Sequence, residues 1–116
     1  MGRILFLLMA LCCLSGSADA ARLATTKDLV TVARGGNLQF RALITGAGRG
    51  LEVANADLEN HGKAPLYCQP NIAITEDQYI RILEVFIERE PAYGRMESVM
   101  FGISMLAALR DAFPCK

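Results

Sequence analysis

TEDQYIRILEVFIEREP, Thr75–Pro91, is the stretch that decides the fold class. Thr75 and Gln78, three residues apart, form a capping box in which each side chain satisfies a backbone N–H that the first turn of a helix leaves free. Behind it Tyr79, Ile80, Ile82, Leu83, Phe86 and Ile87 recur at threes and fours, while Asp77, Arg81, Glu84 and Glu88 fall elsewhere. That period is the signature of an amphipathic helix laid on a core. Pro91, with no N–H to donate, ends it.

Working outward, KAPLYCQPN (Lys63–Asn71) is a loop with two prolines. Before it, Asn37 caps a long helix reaching Asn60, stopped by His61-Gly62. Its expected inner face is Phe40, Leu43, Ile44, Ala47, Leu51, Ala54 and Leu58. Gly46, Gly48 and Gly50 interrupt it, each costing up to about 1 kcal/mol against alanine, which predicts a close helix approach or a kink. Upstream, TKDLVTVAR (Thr26–Arg34) is a short helix capped by Thr25 or Thr26 and closed by Gly35-Gly36.

Downstream, Gly94–Phe113 reads as one last helix with two apolar stripes. Met96, Val99, Met100, Ile103, Leu106, Ala107 and Phe113 form one; Phe101, Met105, Ala108, Leu109 and Ala112 form the other. Its one polar line is Glu97, Ser104 and Asp111. A helix apolar nearly all round is buried, so it is either the central helix or has one side against a partner. The sum is an all-α, small four-helix domain without strands.

Residues 1–20, MGRILFLLMALCCLSGSADA, have the layout of a cleaved signal peptide: Arg3, an apolar run from Ile4 to Leu14, and a small-residue end at Ala18-Asp19-Ala20. The run is too short for a permanent membrane span, and neither Cys12 nor Cys13 follows the small residue a lipid anchor requires. Residues 21–116 then form one domain with equal numbers of acidic and basic side chains. Balanced charge gives no electrostatic ground for binding nucleic acid or an acidic membrane. Of the four cysteines, Cys68 and Cys115 lie in this domain. In an exported protein a pair most simply means a disulfide; two separate buried thiols are the alternative. Closing about 48 residues, such a bond stabilises by about 4 kcal/mol on the chain-entropy estimate.

No motif carries catalysis. LITGAGRGLE (Leu43–Glu52) looks like a dinucleotide-binding turn, but Glu52 stands where the final glycine belongs and no strand precedes Gly46. His61 is the single histidine and has no ligand cluster at metal spacing, so neither a metal nor another cofactor is expected. A Cys68–His61 pair would conflict with the disulfide. The Glu84/Glu88 and Glu88/Glu90 carboxylates sit on the wet face of their helix. The expectation is a protein that is not an enzyme.

LYCQP (Leu66–Pro70), ITEDQYIRILEVFIEREP (Ile74–Pro91) and the closing ALRDAFPC (Ala108–Cys115) together resemble the Rap/Tai family of immunity proteins of bacterial type VI secretion systems. LITGAGRGLEVAN (Leu43–Asn55) is similar to a further segment of that family, so the likeness spans roughly Leu29 to Cys115. The family often has further cysteines in its first two helices; TKDLVTVARGGNLQFRAL (Thr26–Leu43) has none, so only a Cys68–Cys115 bridge carries over. The resemblance implies a helical periplasmic domain over residues 21–116, often a homodimer, that blocks the active-site groove of a cognate peptidoglycan amidase effector.

An inhibitor of a hydrolase anchors through a few side chains on a protruding turn. The first candidate is EREPAYGR (Glu88–Arg95), with Tyr93 as aromatic anchor and Glu88, Glu90 and Arg95 as charged partner-binding residues. The second is the Glu59–Lys63 turn. The competing expectation is a small periplasmic stress protein or chaperone of the acid-stress type.

Overall fold

α1 spans Thr26–Arg34, α2 Leu38–Asn60, α3 Glu76–Arg89, α4 Pro91–Gly94 and α5 Phe101–Ala112, in a computed structural model that describes residues 23–116. The leader expected over residues 1–20 lies outside the described residues. The domain is mostly all-α. Among the described residues there are five helices, four of nine residues or more and the fifth, α4, a single turn. Among the described residues no strand forms, and one isolated antiparallel bridge joins Thr25 to Glu97.

The caps read from the sequence are in place. Thr25 and Asp28 form a capping box on α1, Thr75 and Gln78 another on α3, and Asn37 accepts from Gln39 and Phe40 at the start of α2. Each satisfies backbone donors that a helix start otherwise leaves to water. Gly36 and Gly62 follow α1 and α2 at φ 96° and 67°, the left-handed region where a Cβ is unfavourable.

α3 is the hub. It packs against α1, α2, α4 and α5. Tyr79, Ile80, Leu83, Phe86 and Ile87 are buried as expected, joined by Leu29, Val30 and Ala33 from α1 and Met105, Ala108 and Leu109 from α5. α2 follows its expected face only in part. Phe40, Ile44 and Leu51 meet the core, but Leu43 is 45% exposed and Ala54 faces solvent. The line it buries runs instead through Ile44, Gly48 and Asn55. Gly48 is the reason: a Cβ there would overlap Cδ1 and Cε1 of the Tyr79 ring, so α2 approaches α3 across a glycine. Gly46 and Gly50 have open space around them.

The expected last helix is divided. Pro91–Gly94 forms its own turn, the chain extends through Glu97, a 3₁₀ turn follows at Ser98–Met100, and α5 starts only at Phe101. Long-range hydrogen bonds outcompete the helix here: Thr26 N donates to Met96 O at 2.8 Å and Ser98 N to Ala24 O at 3.0 Å. Nor is the stretch from the 3₁₀ turn through α5 wrapped all round by core. Ser104, Met105, Ala108 and Leu109 are buried, whereas Val99, Met100 and Ile103 are 80, 44 and 46% exposed. Ser104, the middle of the polar line, is fully buried and donates to Tyr93 O at 3.1 Å.

Cys68 and Cys115 are disulfide-bonded, 47 positions apart in sequence, with Cα atoms 4.9 Å apart. Cys68 N also donates to Phe113 O at 2.8 Å, and Arg110 Nε to Leu66 O at 3.1 Å, so the Lys63–Asn71 loop is tied to the end of α5 three ways. From the other side Asn55 clamps the same loop: its Nδ2 donates to Tyr67 O at 2.6 Å and its Oδ1 accepts from Leu66 N at 2.5 Å.

Candidate functional site

The Glu88–Arg95 turn is shaped by α3 ending at Arg89, two residues before Pro91. Glu90 caps α3 through its N–H to Phe86 O at 2.8 Å, Pro91 takes the first position of α4, and Arg95 N closes that turn on Pro91 O at 3.1 Å. Gly94 is buried beneath it. A Cβ there would lie 3.4 Å from Ile87 Cβ and 3.7 Å from Lys27 Cβ, so the turn rests on both α3 and α1.

Against the turn lies a groove of about 460 Å³ between α1, α3 and α4. Val30, Ile87 and Gly94 give it an apolar floor, and Lys27, Glu88 and Arg95 stand at its edge. All three charged side chains belong to exposed residues, and among the described residues none of them is in an ion pair. Glu84, also on the groove, is held by Arg34 at 3.2 Å. A recess with an apolar base and unspent charges of both signs is suited to hold a polypeptide segment by a buried apolar contact with charged flanks.

Two of the four residues expected to touch a partner, Glu88 and Arg95, therefore line one groove. Glu90 is exposed at the α3 terminus and does not line it. Tyr93 does not protrude. It is half-buried with its ring 5.0 Å from that of Phe86, and its carbonyl accepts from Ser104. Lys27 was not legible as part of this site, since it lies about sixty positions upstream and only the packing of α1 on α4 brings it there. The second candidate turn, Glu59–Lys63, is exposed throughout, and His61 within it hydrogen-bonds Asp57 O at 2.8 Å.

A half-exposed polar cluster joins α2 to α3. Tyr79 Oη donates to Glu52 Oε2 at 2.8 Å, and Arg49 reaches Glu52 at 3.1 Å and Ile74 O at 2.8 Å, its guanidinium 5.4 Å from the Tyr79 ring centre. The Tyr79 hydrogen bond holds the Glu52 carboxyl below its ordinary value. Burial, and then the Glu52 bond, push the Tyr79 phenol well above its own. Burial also raises Tyr67, whose hydroxyl has no hydrogen-bond partner.

Cys68 is consumed by its bond to Cys115, so it supplies no thiolate to His61. Among the described residues no three His, Cys, Asp or Glu side chains gather as metal ligands, and no helix is long and apolar enough to cross a membrane. The chain matches no protein-family model, no curated protein and no solved structure.

Proposed function

We propose that this is a periplasmic immunity protein, exported by a cleaved leader, that binds a cognate type VI peptidoglycan amidase and blocks its active-site groove. The observation that carries this reading is the groove at the Glu88–Arg95 turn. Lys27 on α1 and Glu88 and Arg95 on the turn carry unpaired charge around an apolar floor, and the turn rests on α1 and α3. Such bracing is what an inhibitor needs, because a turn already ordered loses little entropy on binding. The disulfide is compatible with an oxidising compartment. The likeness of the Cys68 loop, α3 and the closing Phe-Pro-Cys to the Rap/Tai family supplies the class of target.

The test is to titrate residues 21–116, oxidised, into a panel of type VI amidases that includes the one encoded beside the gene, following peptidoglycan hydrolysis. The reading predicts complete inhibition of one of them at a sharp molar ratio. Absence of inhibition across the panel would overturn it.

A second reading has its own observation. Val99 and Met100 in the 3₁₀ turn and Ile103 in the first turn of α5 are exposed apolar residues, which suit a homodimer face or a chaperone of the acid-stress type. The chaperone reading predicts suppression of client aggregation below about pH 4, lost on changing Ile103 to a charged residue. An unchanged aggregation time course would remove it.

A further inference from the structure

On the far flank of α3 from the turn groove, a second groove of about 530 Å³ runs between α3 and α5. Its floor is core: Ile74, Phe86 and Ala108 are 2, 6 and 1% exposed. Its walls are apolar and open to solvent on one side, with Ile72 57% and Val85 38% exposed and Ile82 and Phe113 half-buried. Ile82 belongs to the apolar pattern of α3 yet is only half-covered, and Val85 beside it is exposed, so α3 has more apolar surface than its own fold uses. A contiguous apolar strip of this kind marks a docking site, whereas single exposed apolar residues do not.

Shape and charge narrow the occupant. The groove follows α3 from Gln78 to Arg89, eleven steps or about 16 Å of helix, which is three turns. A trough open along one side cannot enclose most of a small ligand. It can take the apolar face of a helix lying in it. Its lips carry Arg81, Arg89 and Asp111. Arg89 is paired with Asp111, which leaves Arg81, exposed and in no ion pair among the described residues, as an uncompensated positive charge.

We infer that this groove docks an acidic amphipathic helix of another protein, with apolar side chains in the trough and a carboxylate over Arg81. A basic helix would set like charge against Arg81, so charge selects between otherwise similar segments. The surface is separate from the turn groove, and the inference stands whether or not the amidase reading holds.

The probe is a fluorescein-labelled 16-residue peptide with leucines at three- and four-residue spacing on one face and glutamates beside them. A second peptide has lysine for every glutamate. Fluorescence anisotropy of each, titrated with the disulfide-bonded protein, is followed by amide chemical-shift mapping of the bound state. The expected result is saturable binding of the acidic peptide, with shifts clustered at Ile72, Ile82, Val85 and Phe113. Arg81→Glu, at an exposed position that leaves the circular dichroism spectrum unchanged, weakens it about tenfold and strengthens the lysine peptide. The inference is overturned by no saturable binding, by equal binding of the two peptides, or by shifts centred on Val99–Ile103 or on the Glu88–Arg95 turn. It is equally overturned if sedimentation shows a second copy of the chain occupying the groove.

Discussion

Gly48 shows how much rests on one missing atom. Alanine elsewhere in a helix interior gains about 1 kcal/mol over glycine. At Gly48 that gain meets the Tyr79 ring, and overpacking of this kind costs about 1–3 kcal/mol. Gly48→Ala is therefore expected to lower stability, while Gly46→Ala and Gly50→Ala, in open space, raise it by about 0.5–1 kcal/mol each. Urea midpoints of the three variants check this, and a stabilised Gly48→Ala would contradict the packing of α2 on α3. The Tyr79–Glu52 hydrogen bond ties the same contact to pH. The folded Glu52 carboxyl lies below its ordinary value of 4.5, so its contribution is present above about pH 4.5 and is lost as pH falls through the folded value. The folded Tyr79 phenol lies above its ordinary value of 10.0, so its contribution is present below pH 10 and is lost as pH rises through the folded value. Tyr79→Phe removes the bond, costs about 1 kcal/mol at neutral pH, and should flatten both limbs of stability against pH. Identical pH profiles for the variant and the parent would mean the pair carries no linkage.

Among the elements, the loop from Lys63 to Asn71 is fixed by contacts from two helices. It is pinned by the disulfide and by Asn55, whose two hydrogen bonds reach a loop eleven and twelve residues away. Asn55→Ala leaves Leu66 N and Tyr67 O without those partners and is expected to cost about 1–3 kcal/mol, read from thermal unfolding. Reduction of Cys68–Cys115 should lower stability by about 4 kcal/mol, with hydrogen exchange rising first at the α5 terminus and the Cys68 loop. Uniform loss of protection across all helices would show that the bond staples the whole fold rather than this corner. The elements whose rules are local were the legible ones. The caps at Thr25 (one of the two threonines expected), Asn37 and Thr75, the glycines at 36 and 62 and Pro91 act within a few residues, and α1, α2 and α3 begin and end close to those signals. The division of Gly94–Phe113 obeyed no local rule. It depends on Ala24 and Thr26 supplying backbone partners to Met96 and Ser98 some seventy residues away, and periodicity carries no trace of that.

For the whole molecule, the same distinction applies to the site. Glu88 and Arg95 could be singled out because a turn between two helices is visible in EREPAYGR. Tyr93 was singled out as the aromatic residue of the same turn, and the fold leaves it half-buried with its ring packed on Phe86. Lys27 was invisible because only the docking of α1 against α4 places it at the groove. The molecule thus presents three surfaces around one hub helix: a charged groove at the turn, an apolar trough with a free arginine, and the exposed apolar residues Val99, Met100 and Ile103. The first of these is the surface proposed to bind and block an amidase. The most direct measurement is the inhibition titration repeated with Lys27→Glu, Glu88→Lys and Arg95→Glu, all at exposed positions. The parent protein should give a sharp stoichiometric end point and each variant an inhibition constant weakened about tenfold or more, with the fold unchanged by circular dichroism. Inhibition that survives all three reversals undiminished would contradict the proposal.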